Sequence, residues 1–97
     1  LGLVLAKITP ALRQQFKLDK KARGVVVTEV KQDSAAAEKG VRPGDLIVEV
    51  SQGEVSTPAQ VIEKITAARQ DGRKRVLFLV EGRTGLRFVA LKIGKKK

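Results

Sequence analysis

SAAAEKGVRPGDLIVEV, residues Ser34 to Val50, lays out a helix, a stop, a tight turn and a strand in that order. Asp33 or Ser34 can cap the free N–H groups at the start of a short Ala-rich helix. Gly40 supplies the left-handed residue that ends it. Pro43 and Gly44 suit the two central positions of a type II turn, where Pro presets φ and Gly tolerates a positive one. A strand follows at Leu46 to Val50, and a second is expected upstream at VVVTEV, Val25 to Val30, opened by Gly24.

Working outward, LGLVLAKI at the start is dense in apolar residues and stops before Pro10, so it reads as a buried or groove-lining strand. Thr9 and Pro10 form a cap and first-turn pair for a short helix to about Phe16, with Ala11, Leu12 and Phe16 as its buried candidates. Asp19 to Arg23 is a basic loop. SQGEV, Ser51 to Val55, makes a turn and a brief extended piece. Thr57, Pro58 and Gln60 then announce a helix with a capping box, running to about Arg69. Val61, Ile62, Ile65 and Ala68 follow helical spacing and predict one apolar stripe toward the sheet. Arg75 to Val80 and Leu86 to Ile93 are strands joined at Gly82-Arg83-Thr84-Gly85. The fold expected is mainly β with helical caps (α+β): a partly open β-barrel of five to six strands with two to three short helices.

The chain has 97 residues, enough for one domain spanning 1–97, with 94–97 as a basic tail. A domain of this size buries only ~60–65% of its unfolded surface, so one modest core is expected. The chain opens on Leu1-Gly2-Leu3 with no initiator Met, and it is therefore expected to be a piece of a longer protein, any targeting segment lying outside it. No apolar run approaches the ~20 residues of a membrane span.

With no Cys and no His, disulfides, thiolate metal sites, Ser-His-Asp and Cys-His chemistry all fall away. Ser34, Ser51 and Ser56 fall at a cap, a turn and a helix approach, which are structural places for serine. No metal or cofactor is expected. Twenty Lys and Arg against ten Asp and Glu give a formal charge of +10. That raises polyanions as partners, but the denser groups at Lys20-Lys21-Arg23, Arg73-Lys74-Arg75 and Lys95–Lys97 fall on a loop, a turn and the tail. The only aromatics are Phe16, Phe78 and Phe88, so base-stacking platforms are missing. Solvated surface charge with no specific nucleic-acid partner is the reading that follows.

The stretch at 34–50, with VVVTEV before it, resembles the core signature of a PDZ domain, a module that captures the C-terminal ends or extended segments of other polypeptides. LGLVLAKITPALRQQFKL at the start and GLRFVALKI at the end are similar to the PDZ domains of HtrA (Do-like, DegP-type) serine proteases, most of all the second, C-terminal one. That resemblance spans essentially the whole chain. It implies a circularly permuted strand order, with the binding strand first and the closing strand last. It also implies a parent with a serine protease domain and another PDZ domain, a place in the periplasm or envelope of a Gram-negative bacterium, and roles in substrate capture, oligomer assembly and regulation.

Carried over residue by residue, Leu1, Gly2 and Leu3 match the GLGF-like loop, whose backbone N–H groups meet a peptide carboxylate. Val4, Leu5 and Ala6 continue as the strand to which an extended peptide adds itself. Pro58, Ile62 and Ile65 match the groove-facing positions of the helix, Ile65 serving core or groove and Val61 the core alone. Many family members carry His at the Pro58 position; Pro donates nothing, so apolar residues are expected at the last and third-last ligand positions. Two departures from the family pattern concern backbone. Lys17 stands where Gly is usual, and SQGEV replaces the commoner NGQPV, which leaves that turn's geometry open.

The leading expectation is a non-catalytic peptide-binding and regulatory module of an envelope protease, its partners being hydrophobic peptide segments of substrates and neighbouring domains or subunits of the parent. The alternative is an assembly domain whose groove is unused or occluded. A polyanion or membrane-surface binder ranks third, and an isolated enzyme last.

Overall fold

The computed structural model describes residues 2–93; Leu1 and the basic tail at 94–97 lie outside the described residues. The elements run β1 (Leu3–Lys7), α1 (Pro10–Gln15), β2 (Val25–Val30), α2 (Ala35–Glu38), β3 (Leu46–Val50), β4 (Gly53–Glu54), α3 (Pro58–Gln70), β5 (Arg75–Gly82) and β6 (Gly85–Lys92).

Each helix starts on a hydroxyl and ends on a left-handed residue that turns the chain toward a strand. The Thr9, Ser34 and Thr57 side chains accept from the backbone N–H of Leu12, Ala37 and Gln60, and Gln60 completes the capping box by accepting from the N–H of Thr57. At the end of α2, Gly40 (φ 81°) donates to Ala37 and Val41 to Ala36, the paired bonds of a Schellman motif. Gly72 (φ 80°) and Arg73 repeat the pattern after α3. After α1 the left-handed position is Lys17 (φ 55°), with the same two bonds from Lys17 to Gln14 and from Leu18 to Arg13. The turn before β3 closes through Asp45 N–H to the Arg42 carbonyl at 3.1 Å with Gly44 at φ 97°, as type II requires.

The strands form one antiparallel sheet in the order β1-β2-β3-β5-β6, with β4 paired to β3. The sheet stays open, β1 and β6 being its two ends. Between Val4 and Leu5 the β1–β2 register slips, and the Thr28 hydroxyl donates to the Val4 carbonyl at the irregularity. Alternation along β5 (Val76, Phe78, Val80) and β6 (Val89, Leu91) sends side chains into one buried cluster, which Val25 and Val27 of β2, Ile47 and Val50 of β3 on either side of its irregularity, and Val61, Ile65 and Ala68 of α3 complete.

Two readings from sequence are corrected, and one left open is decided. α1 buries no residue outright: Ala11 is exposed, while Leu12 and Phe16 are half-buried. A helix of six residues offers too few positions to seal a face of its own. Ile62 leaves the α3 stripe and is 62% exposed, because only Val61, Ile65 and Ala68 point at the sheet. In SQGEV, Ser51 (φ 52°) and Gln52 (φ 68°) both take the left-handed conformation of a two-residue hairpin turn, although neither is Gly. Gly53 sits one place later in β4, where an added Cβ would run into the Lys64 ammonium.

Candidate functional site

A groove of about 460 Å³ runs between β1 and α3. One wall is Leu3, Val4 and Leu5; the other is Pro58, Ile62, Thr66 and Arg69, with Val61 and Ile65 between them. Among the described residues β1 pairs with β2 along one side only, so its other edge opens onto the groove with its ladder positions untaken. The helix runs opposite to the strand. Gln60 and Ser56, at the start of α3, share a second cleft with Lys7 and Ile8 at the end of β1, which puts Arg69 toward Leu3.

The sequence-derived residues fall in this place unevenly. Leu3, Val4, Leu5, Pro58, Ile62 and Ile65 all line the groove. Val4 is 50% exposed and Ile62 62%, whereas Ile65 is buried at 9% and serves the core and the groove floor at once. Ala6 is half-buried, pairs with Val26 of β2, and is absent from the lining. Leu1 lies outside the described residues.

Gly2 stands at the mouth with φ 84°, and its carbonyl accepts from Lys31 N–H at 2.7 Å. A Cβ there would collide with the Ser34 side chain, the residue that caps α2. The first turn of the chain and the start of α2 are thus pressed together so closely that only Gly fits. This ties the loop to the very segment from which the fold was read.

Thr66 and Arg69 join the lining without having been singled out in the sequence. The signal was present: Pro58, Ile62, Ile65 or Thr66, and Arg69 recur at three- and four-residue steps and so share a helix face. Arg69 Nε donates to the Ile93 carbonyl at 3.3 Å, which steadies its stem beside the groove. Chemically the arrangement offers an unpaired strand edge, an apolar trough and one cation near the Leu3 end. Such a groove can accept an extended chain as an added strand, with alternate side chains filling the trough.

A fold of this order with such a groove is that of a peptide-binding β module, and the comparisons with known proteins agree. The family model for the PDZ domain matches residues 5–83. The chain belongs to the PDZ domain family, whose members are binding rather than catalytic modules. Among curated relatives, a probable periplasmic serine endoprotease DegP-like of Brucella suis biovar 1 (strain 1330) is 46% identical over 74 residues, 76% of this chain and 14% of that protein. The protein so named in Rhizobium meliloti (strain 1021) is 41% identical over 71 residues, 73% of this chain and 14% of the relative. The chain therefore spans about a seventh of the length of these relatives.

Solved structures agree on the fold. The HtrA-type protease AlgW with decapeptide superposes with TM-score 0.78 at 26% identity, covering 100% of this chain and 29% of that one. The HtrA3 PDZ domain bound to a phage-derived ligand (FGRWV) has TM-score 0.76 at 21% identity, covering 95% of this chain and 81% of that one.

Proposed function

We propose that this chain is the peptide-capturing and regulatory module of a periplasmic serine endoprotease, its second and C-terminal PDZ domain, with catalysis carried out elsewhere in the parent. The observation that carries this is the open edge of β1 facing α3 across an apolar trough. The names of the curated relatives support the parent and its compartment, and the peptides held by AlgW and HtrA3 support the ligand class.

In this reading a hydrophobic C-terminus, or an extended segment of an unfolded substrate, pairs with Val4, Leu5 and Ala6. The N–H groups of Leu1, Gly2 and Leu3 meet its carboxylate, with Arg69 adding positive charge at that end. Apolar side chains at the last and third-last ligand positions pack against Ile62, Ile65 and Pro58. Burying one such side chain is worth about 1.5–3 kcal/mol and the charge-assisted bonds about 1.5–3 more. After the costs of association and of ordering the peptide, affinity on the order of micromolar is expected.

The test is an isotope-labelled titration with a peptide ending in Val and with its C-terminally amidated twin. Shifts along Leu3 to Ala6 and Pro58 to Arg69 that disappear on amidation are expected. Silence with both peptides would shift the reading to the second one, an assembly domain of the parent. That second reading draws on the outer face of the β5–β6 hairpin, where Leu86 (61%) and Phe88 (63%) are exposed.

A further inference from the structure

A second cleft of about 470 Å³, with a different character, lies at the Lys7 end of β1, where Lys7 and Ile8 line it. Lys7, Arg13 and Arg23 line it together with one carboxylate, Glu54, and Ser56 and Gln60 complete the walls. Arg13 is held in place, its Nη1 donating to the Asp19 carbonyl at 2.7 Å and its Nη2 to the Ala22 carbonyl at 3.3 Å. Those bonds anchor the basic loop and fix a guanidinium at the cleft wall. Lys7 and Arg23 are exposed, with their charged ends free to reach a ligand.

The register of an added strand says which part of a ligand arrives here. An antiparallel peptide whose last residue lies opposite Leu3 has its third-last residue opposite Leu5 and its fifth-last opposite Lys7. Each step of two advances the chain by about 7 Å. The residues upstream of the apolar anchor therefore arrive beside Lys7, which lines the basic cleft.

We infer that this cleft is a specificity subsite that selects acidic side chains at the fifth- to seventh-last positions of the peptide. The inference rests on the groove reading above and deepens it: the substrates favoured are chains with an apolar end preceded by a short acidic segment. Carboxylates there meet Lys7, Arg23 and the remaining donors of Arg13. The preference is electrostatic, weakens with salt, and adds to the anchor without replacing it.

The test uses two peptides of identical composition, both ending in Val. One carries an Asp pair at the sixth- and fifth-last positions; the other carries the same pair at its far N-terminal end. Because composition is matched, the general attraction of a chain of charge +10 is the same for both. The first is expected to bind about three- to tenfold tighter at low salt, as two exposed ion pairs supply, and the gap should close at high salt. Arg23→Glu should erase the gap, as should Lys7→Glu, while Lys74→Glu, the same charge change on the approach to β5, should leave it. Equal binding of the two peptides by the unaltered chain, with amidation still abolishing both, would overturn the acidic subsite and leave the groove reading intact. Loss of the gap with Lys74→Glu would overturn it too, by reducing the effect to net charge. Failure of both peptides to bind would sink the groove reading and this inference with it.

Discussion

Lys17, Ser51 and Gln52 hold backbone conformations for which their side chains are poorly suited. Each sits where the fold needs φ > 0: Lys17 at the end of α1, and the pair Ser51-Gln52 between β3 and β4. A left-handed residue with a Cβ costs about 1–2 kcal/mol, part of which returns because Gly would loosen the unfolded chain. Lys17→Gly should therefore stabilise the domain by roughly 0.5–1 kcal/mol, raising the melting temperature by about 3–6 °C. Thermal denaturation followed by circular dichroism checks this, and a lower midpoint would mean that the Lys17 stem contributes packing. Gly2 is the opposite case, since its Cβ-free backbone is required by the Ser34 side chain against it.

At the scale of the element, α3 divides its apolar residues between two tasks. Val61 is 1% exposed and faces the core, while Ile62, the next residue, is 62% exposed and faces the groove. Their substitutions should separate cleanly. Val61→Ala should cost about 2 kcal/mol in unfolding by denaturant, from the lost transfer energy of two methyl groups plus a small cavity. Ile62→Ala should leave stability within about 0.5 kcal/mol yet weaken a Val-terminated peptide severalfold. If Ile62→Ala changed stability and not binding, the groove would be misassigned. In the proposed reading edge strand β1 carries the complementary task, offering backbone that any sequence can pair with, so that selectivity is left to the helix wall and the basic cleft.

For the whole molecule, the question is what an open sheet does with its two ends. β1 ends in the groove. β6, at the other end, presents Leu86 and Phe88 outward beside Leu77 and Leu79 of β5, as the register Leu79 to Phe88 and Leu77 to Ala90 dictates. Replacing Leu86 and Phe88 by Ser should leave melting and peptide affinity of this chain unchanged. It should reduce concentration-dependent association in sedimentation experiments if the assembly reading holds. Unchanged sedimentation would leave peptide capture as the role of the domain.

Local chemistry settled much of this protein in advance. The caps at Thr9, Thr57 and Asp33 or Ser34, the stop at Gly40, the Pro43-Gly44 turn and the hairpin at Gly82 to Gly85 are each legible within a few residues, because capping and turn geometry involve only neighbouring backbone groups. Helical spacing also grouped Val61, Ile62, Ile65 and Ala68 into one apolar stripe, while the family resemblance picked out Pro58, Ile62 and Ile65. What spacing could not decide is which side of that stripe meets the sheet, and so why Ile62 is outside and Ile65 within. Nor could it show that Ala6 is absent from the trough lining, that Thr66 and Arg69 are part of it, or that Lys7, Arg13 and Arg23 line one cleft. Those facts depend on where β1 lies against α3, a packing relation between segments some fifty residues apart. Only tertiary structure, which sets distances between side chains remote in sequence, determines it.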